Sequence, residues 1–305
     1  MKSIDFEIMK ASIFDMNKIV RMALFYHKDD PKFRETLSNP LKLFLYRLFG
    51  SLYVRLSLVS FKVVVSGKIV GYILLKRRRY SLHVWDLVVD SEFQGKGIGR
   101  SLMEFAERFS NNERRYLTLA VMEDNAPAMR LYEKLGYENL KFSPVCYRLE
   151  RPKTLEKNFK SVKLEPIFEK AATHCRNKHF SSVLDAVVGP DKCEVVRLIY
   201  SLPSKIRRRT KCFRILAFER EIGYMSLRQV KDLATIFLIV NPDTWSFDAE
   251  TEAVQEAIEK GYLKSSQVEI CVMQAYEKNL ENILKRANLT SERRIPRLAL
   301  IKKLK

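Results

Sequence analysis

This chain repeats itself, and the repeat limits what it can fold into more than any composition does. Val70-Gly71-Tyr72 recurs 152 residues on as Ile222-Gly223-Tyr224, and Phe61 recurs as Phe213 at the same offset. Apolar runs lead into both, Lys62-Val63-Val64-Val65 in one copy and Arg214-Ile215-Leu216-Ala217 in the other. With one residue lost in a loop the offset becomes 151. It then carries Leu87-Val88-Val89 onto Leu238-Ile239-Val240, and Leu119 to Met122 onto Ile270 to Met273. One spacing held through so many apolar runs implies two units of the same fold. The expected domains are residues 1–150 and 158–305, joined by a Lys-rich linker from Arg151 to Lys163 that carries Pro152.

Each copy reads as mixed α/β. Two β-branched runs flank a tight turn, Ser66-Gly67-Lys68, which predicts an antiparallel hairpin. A longer strand ends at Val89. Ile98, Leu102, Phe105, Ala106 and Phe109 then share one face at helical spacing, up to a stop at Ser110-Asn111-Asn112. A strand from Tyr116 to Met122 follows, then a helix from Pro127 to Leu135 capped by Gly136. A last strand near Val145 to Leu149 closes the copy. Strand–helix–strand order makes the strands flanking the first helix parallel.

The 305 residues are 47% hydrophobic, enough to bury a sizeable core. Fifty-five Lys and Arg face 36 Asp and Glu, a net charge of +19 that favours anionic partners or simply solvates the surface. The densest basic runs are Arg77-Arg78-Arg79 and Arg207-Arg208-Arg209. No regular aromatics interleave with them, so nucleic-acid binding is only weakly supported. The apolar stretch Leu41 to Phe61 is interrupted by Lys42, Arg47 and Arg55, which argues against a transmembrane span. The five cysteines form no CxxC pair. Acids at Asp5 and Glu7 replace a secretory leader, and reduced thiols in the cytoplasm are expected.

The sharpest local signal is Gln94-Gly95-Lys96-Gly97-Ile98-Gly99-Arg100, between the strand ending at Val89 and the next helix. Amides at a helix N-terminus, cleared of side chains by glycine, suit a pyrophosphate. The spacing fits neither a Walker A loop nor a Rossmann fingerprint. Downstream lies Asn125-Ala126-Pro127-Ala128-Met129-Arg130-Leu131-Tyr132-Glu133-Lys134-Leu135-Gly136-Tyr137. Together these resemble the two signatures of the GNAT acyltransferases over roughly Phe61 to Leu149.

The resemblance implies two tandem GNAT-like domains, each a mixed sheet flanked by helices, with acetyl-CoA as co-substrate and no metal. The backbone of Leu87, Val88 and Val89 would pair with pantetheine. Amides from Gln94 through Gly95, Lys96, Gly97, Ile98 and Gly99, with Arg100 nearby, would hold the pyrophosphate. Asn125 would contact the pantetheine arm, and Tyr132 would protonate the leaving thiolate. His83 stands where some members keep the catalytic base. Asp86, Glu123 and a water chain are further candidates, while Ala120 occupies a position where other members carry a Glu. The acceptor would be a primary amine of a protein or small molecule, attacked directly. Leu41 to Leu58 would shape its pocket.

The second copy departs from this pattern. Trp245, Asp248 and Glu250 replace Gln94, Gly97 and Gly99, and Ile283 replaces Tyr132. Carboxylates there would repel a pyrophosphate, so a degenerate domain without its own cofactor is expected. Two other readings stay open: a non-catalytic acyl-CoA-binding regulator, and a basic RNA- or membrane-associated protein with a vestigial fold. Oligomeric state is not legible.

Overall fold

The computed structural model describes residues 5–28, 58–78, 81–111, 116–151, 161–188, 196, 210–240, 247–263 and 265–304. Residues 41–57, Arg79, Arg207 to Arg209, Trp245 and most of the expected linker lie outside them, as do the side chains of Asp248 and Glu250. The chain forms two compact units. One is Met1–Ala120 with Arg130–Glu138 and Leu300–Lys305; the other is Val121–Met129 with Asn139–Ala299.

The first sheet has seven strands in the order β1 (Glu7–Lys10), β2 (Val59–Val65), β3 (Lys68–Arg77), β4 (Ser81–Val89), β5 (Tyr116–Met122), β14 (Arg297–Lys303) and β6 (Glu138–Asn139). β1 to β4 form an antiparallel meander, and β4 runs parallel to β5. Helix α1 (Met16–Tyr26) buries Met16, Ile19, Met22 and Ala23 against Tyr72, Leu74 and Val88. Helix α2 (Ile98–Asn111) buries Ile98, Leu102 and Ala106, and its Phe105 and Phe109 rings meet Phe61 edge-on. Helix α3 (Ala126–Lys134) ends at Gly136 in the left-handed region, where the Tyr137 amide donates back to the Tyr132 carbonyl.

The second sheet also has seven strands: β13 (Ser291–Arg293), β7 (Pro144–Leu149), β12 (Gln267–Met273), β11 (Leu233–Val240), β10 (Arg220–Val230), β9 (Thr210–Ala217) and β8 (Val162–Ile167). Helices α4 (Glu169–Val188), α5 (Phe247–Tyr262) and α6 (Glu277–Arg286) accompany it. The strand expected to close the first copy, β7, thus lies in the second sheet, and the final strand β14 lies in the first. β7 buries every second residue, Val145, Tyr147 and Leu149, while β14 buries Leu298 to Ile301 in a row. Either pattern marks a strand but not the sheet that receives it.

β7 also corrects the cysteine expectation. Cys146 on β7 and Cys271 on β12 face each other directly in the antiparallel ladder and form a disulfide. They are 125 residues apart, so only the exchanged strand brings them together.

Strand register locates the residue that separates the two copies. Both hairpins share a bulge, at Val70 in β3 and at Ile222 in β10. In both, a Cβ on the following glycine would press a backbone carbonyl of the next strand, Val88 O at 3.0 Å from Gly71 and Ile239 O at 2.6 Å from Gly223. β4 has a second bulge, since Leu74 opposes Asp86 while Leu75 opposes Val84, leaving Trp85 extra. β11 pairs with β10 without interruption. Residues up to Val84 therefore match those 152 positions on, and residues from Asp86 match those 151 on. The missing residue was expected in a loop. It is Trp85, inside a strand.

Candidate active site

A bulge adds local twist and re-aims the strand that carries it. Here the ladder between β4 and β5 covers Ser81–Val84 and Tyr116–Leu119 and stops at the bulge. Leu87, Val88 and Val89 follow it, where β4 keeps its antiparallel pairing to β3 through Gly71–Ile73. The ladder between β4 and β5 does not continue past the bulge.

The chain leaves β4 through a turn at Ser91–Phe93, capped by the Asp90 carboxylate on the Glu92 amide. Gln94 is extended, and its side-chain amide donates to the Val89 carbonyl at 2.9 Å, folding the loop back onto the strand end. Gly95 and Gly97 have φ of +73° and +85°. A Cβ at either would meet open space, so backbone conformation rather than crowding calls for glycine. Gly99 differs: its φ is ordinary, and a Cβ would make van der Waals contact with Leu131 at 3.6 Å. The first helical bond of α2 runs from the Ser101 amide to Gly97 O, which leaves the amides of Ile98, Gly99 and Arg100 at the positive end of the helix. Lys96 lies 5.0 Å from the Phe93 ring, and Arg100 pairs with Glu104 on the surface. Free amides at a helix N-terminus suit an anion.

Asn125 accepts a hydrogen bond from the Ala128 amide and so caps α3. Tyr132 is the buried residue of that helix, its ring 5.8 Å from Tyr137. Burial, and next the charge of Asp86, pushes its phenol up to about 12, so it stays protonated across the physiological range.

The candidate bases differ sharply. His83 lies in the closed part of the ladder, opposite Thr118, with Nδ1 3.0 Å from its hydroxyl. Burial, then Arg78 and Lys76, pulls His83 down to about 4, which makes it a weak proton acceptor at neutral pH. Glu123 is held by the Arg293 guanidinium, which also binds Glu277. Asp86 lies just beyond the bulge. The Tyr72 hydroxyl donates to its carboxylate at 2.7 Å, and Nε2 of His27 lies 2.9 Å from its other oxygen. Sequence reasoning missed His27 and Tyr72. His27 is 59 residues from Asp86, at the end of a helix, with no motif around it.

The profile of the Acetyltransferase (GNAT) family matches residues 14–137. An uncharacterized N-acetyltransferase of Methanocaldococcus jannaschii is 32% identical over 116 residues, which cover 37% of this chain and 72% of that protein. The chain belongs to the GNAT family. Solved GNAT structures also match the chain along its length. A GCN5-related N-acetyltransferase from Sphaerobacter thermophilus aligns with TM-score 0.58 at 14% identity, over 98% of this chain and 96% of that one. A tandem GNAT protein from the clavulanic acid biosynthesis pathway aligns with TM-score 0.50 at 14% identity, over 99% of each. The protein is a tandem GNAT acyltransferase, and acetyl transfer from acetyl-CoA is the chemistry of its family.

The second GNAT unit lacks the opening. Its parallel ladder runs one pair further, Leu233–Phe237 with Gln267–Cys271. Ile283, the counterpart of Tyr132, is 1% exposed and belongs to one core with Leu238, Val240 and Val272. A void of about 10 Å³ remains there, at the lower limit for one water. Elsewhere in this unit Cys175, His179 and Glu221 lie together, but Glu221 already binds His179 and Lys178. No helix among the described residues is long and apolar enough to cross a membrane.

Proposed function

We propose that the first unit binds acetyl-CoA and transfers its acetyl group to a primary amine of a small molecule or protein by direct attack. The observation that carries this reading is the joint presence, in one unit, of the bulge-opened strand, the left-handed glycine loop and a buried neutral phenol. Leu87, Val88 and Val89 would hold the pantetheine amides, and the amides from Gln94 to Gly99 the pyrophosphate, with Arg100 beside it. Tyr132 would give its proton to the departing thiolate. A phenol near 12 is a weak acid, but a thiolate formed in the low dielectric of the cleft is a strong enough base to accept from it in the transition state.

The second domain, residues 158–305 in the duplicated sequence, would bind no cofactor and serve structure or acceptor selection. Calorimetric titration with acetyl-CoA tests both statements. One ligand per chain is expected, lost in Gly97→Glu, followed by turnover in a screen of amines. Two ligands per chain would overturn the reading of the second unit. No binding at all would sink the enzyme reading and leave RNA and anionic vesicles as the partners to test.

A further inference from the structure

We propose that His27 is the catalytic base of the first unit, with Asp86 as its positioning residue and Tyr72 fixing Asp86. The inference rests on the acetyltransferase reading above and assigns the one role that reading leaves open.

The surroundings of Asp86 carry it, together with a comparison of the two copies. Asp86 immediately follows the Trp85 bulge and precedes Leu87, so it lies at the start of the opened stretch of β4. Its charge reaches Tyr132, the proposed acid, and both groups are therefore close to the same opening. The carboxylate is anchored from opposite elements, by buried Tyr72 on β3 and by His27 past the end of α1. The His27 side chain is 34% exposed, so a substrate can reach it.

The second unit supplies the comparison. Glu7 on β1 opposes Val64, and Lys163 on β8 opposes Leu216, its counterpart, so the leading strands match at an offset of 156. Five of the six buried positions of α1 recur at that same offset in α4, all but Met22. Met16, Ile19, Val20, Ala23 and Leu24 match Ala172, Cys175, Arg176, His179 and Phe180. His27 then falls on Val183, Asp86 on Phe237 and Tyr132 on Ile283. Base, positioning residue and acid are all apolar in the copy whose cleft is shut. Val183 and Ile283 line the same void there, which places the equivalents of His27 and Tyr132 on either side of one spot.

The amine lone pair forms the new C–N bond to the thioester carbon, and the C–S bond breaks. The proton shed by nitrogen goes to His27, and the thiolate takes the phenolic proton of Tyr132. The two side chains exchange a proton through solvent to reset. The Asp86 carboxylate orients the imidazole and stabilises the imidazolium. Among the described residues, Asp86 on β4 faces His27 directly, Tyr72 on β3 binds the same carboxylate, Tyr132 on α3 feels its charge, and Lys28 follows His27 in the chain.

Two measurements test this. The chain has four histidines, so their imidazole resonances are separable by NMR. Adding acetyl-CoA should move the His27 signals while leaving His83 in place, and Asp86→Asn should shift the His27 titration. Acetyl-CoA that binds by calorimetry without touching His27 overturns the proposal but leaves the acetyltransferase reading intact. Failure to bind acetyl-CoA would instead remove the reading on which it rests. On an amine from the acceptor screen, His27→Ala should lower kcat roughly 10²-fold with acetyl-CoA affinity unchanged. Its rate should then climb about tenfold per pH unit through the alkaline range, because only amine already deprotonated reacts. A merely structural His27 would lower the rate without changing that slope.

Discussion

The two units share strand order, a bulged hairpin and a glycine that lets neighbouring strands close up, yet they differ in one strand residue. The first has Trp85 as an extra residue in β4, and its parallel ladder stops there after four pairs. The second lacks it, and its ladder runs through five. The polar groups that would use the opening change with it: His27, Asp86 and Tyr132 in one copy stand as Val183, Phe237 and Ile283 in the other. A single-residue insertion in a strand flips or re-aims every side chain beyond it. On the proposed reading, one residue separates a sheet that would admit an extended ligand from one whose core fills the corresponding position.

Deleting Trp85 is the strongest way to break this comparison. The variant should keep its fold, because the second unit shows that the unbulged register is stable. Its affinity for acetyl-CoA should fall at least 100-fold, read by calorimetry with circular dichroism as the folding control. Retained affinity would mean that the bulge does not make the cleft. The converse change acts on the closed copy. Ile283→Ala empties space in a core that includes Leu238 and Leu280, and it should cost about 2–4 kcal/mol in denaturant unfolding. Acetyl-CoA affinity should be unchanged. A loss of affinity would show that the second unit takes part in binding.

Much of this was legible before any coordinates. The loop from Gln94 to Arg100, the helix carrying Tyr132 and the duplication itself follow from glycine spacing and apolar period, which are local signals. The exchange of β7 and β14 was not legible, because a run of apolar residues marks a strand without naming its partner. The Cys146–Cys271 bond was hidden for the same reason. The bulge at Trp85 was visible only as a change of offset, and the register was needed to move it from a loop into β4. His27 carried no signal at all: its meaning comes from a carboxylate 59 residues away. His83 was singled out by its position relative to the glycine loop. Burial, which sequence does not report, is what takes its basicity away.

His83 sharpens the comparison at low pH. Its counterpart by register is Thr235, which cannot titrate. The folded state holds His83 at about 4 against an ordinary 6.5, so the unfolded chain binds the proton more readily. Its contribution to stability is complete above pH 6.5 and is lost as pH falls from there through 4. The full difference is about 3 kcal/mol. His83→Thr should therefore flatten the stability profile between pH 6.5 and 4, measured by denaturant unfolding at several pH values. An unchanged acid slope would mean that His83 is protonated in the folded protein.

The smallest effect separates two glycines of the same loop. Gly97 sits at φ +85°, where an L side chain costs about 1–2 kcal/mol even though the space is open. Gly99 has ordinary backbone and room for a methyl group against Leu131. Gly97→Ala should therefore weaken acetyl-CoA binding about tenfold, because the loop relaxes out of the shape that aims its amides at the ligand. Gly99→Ala should change affinity by less than about twofold, since a methyl at 3.6 Å makes an ordinary contact. If both substitutions proved equally harmful, close approach of the ligand to the helix backbone, rather than loop conformation, would be what glycine serves here.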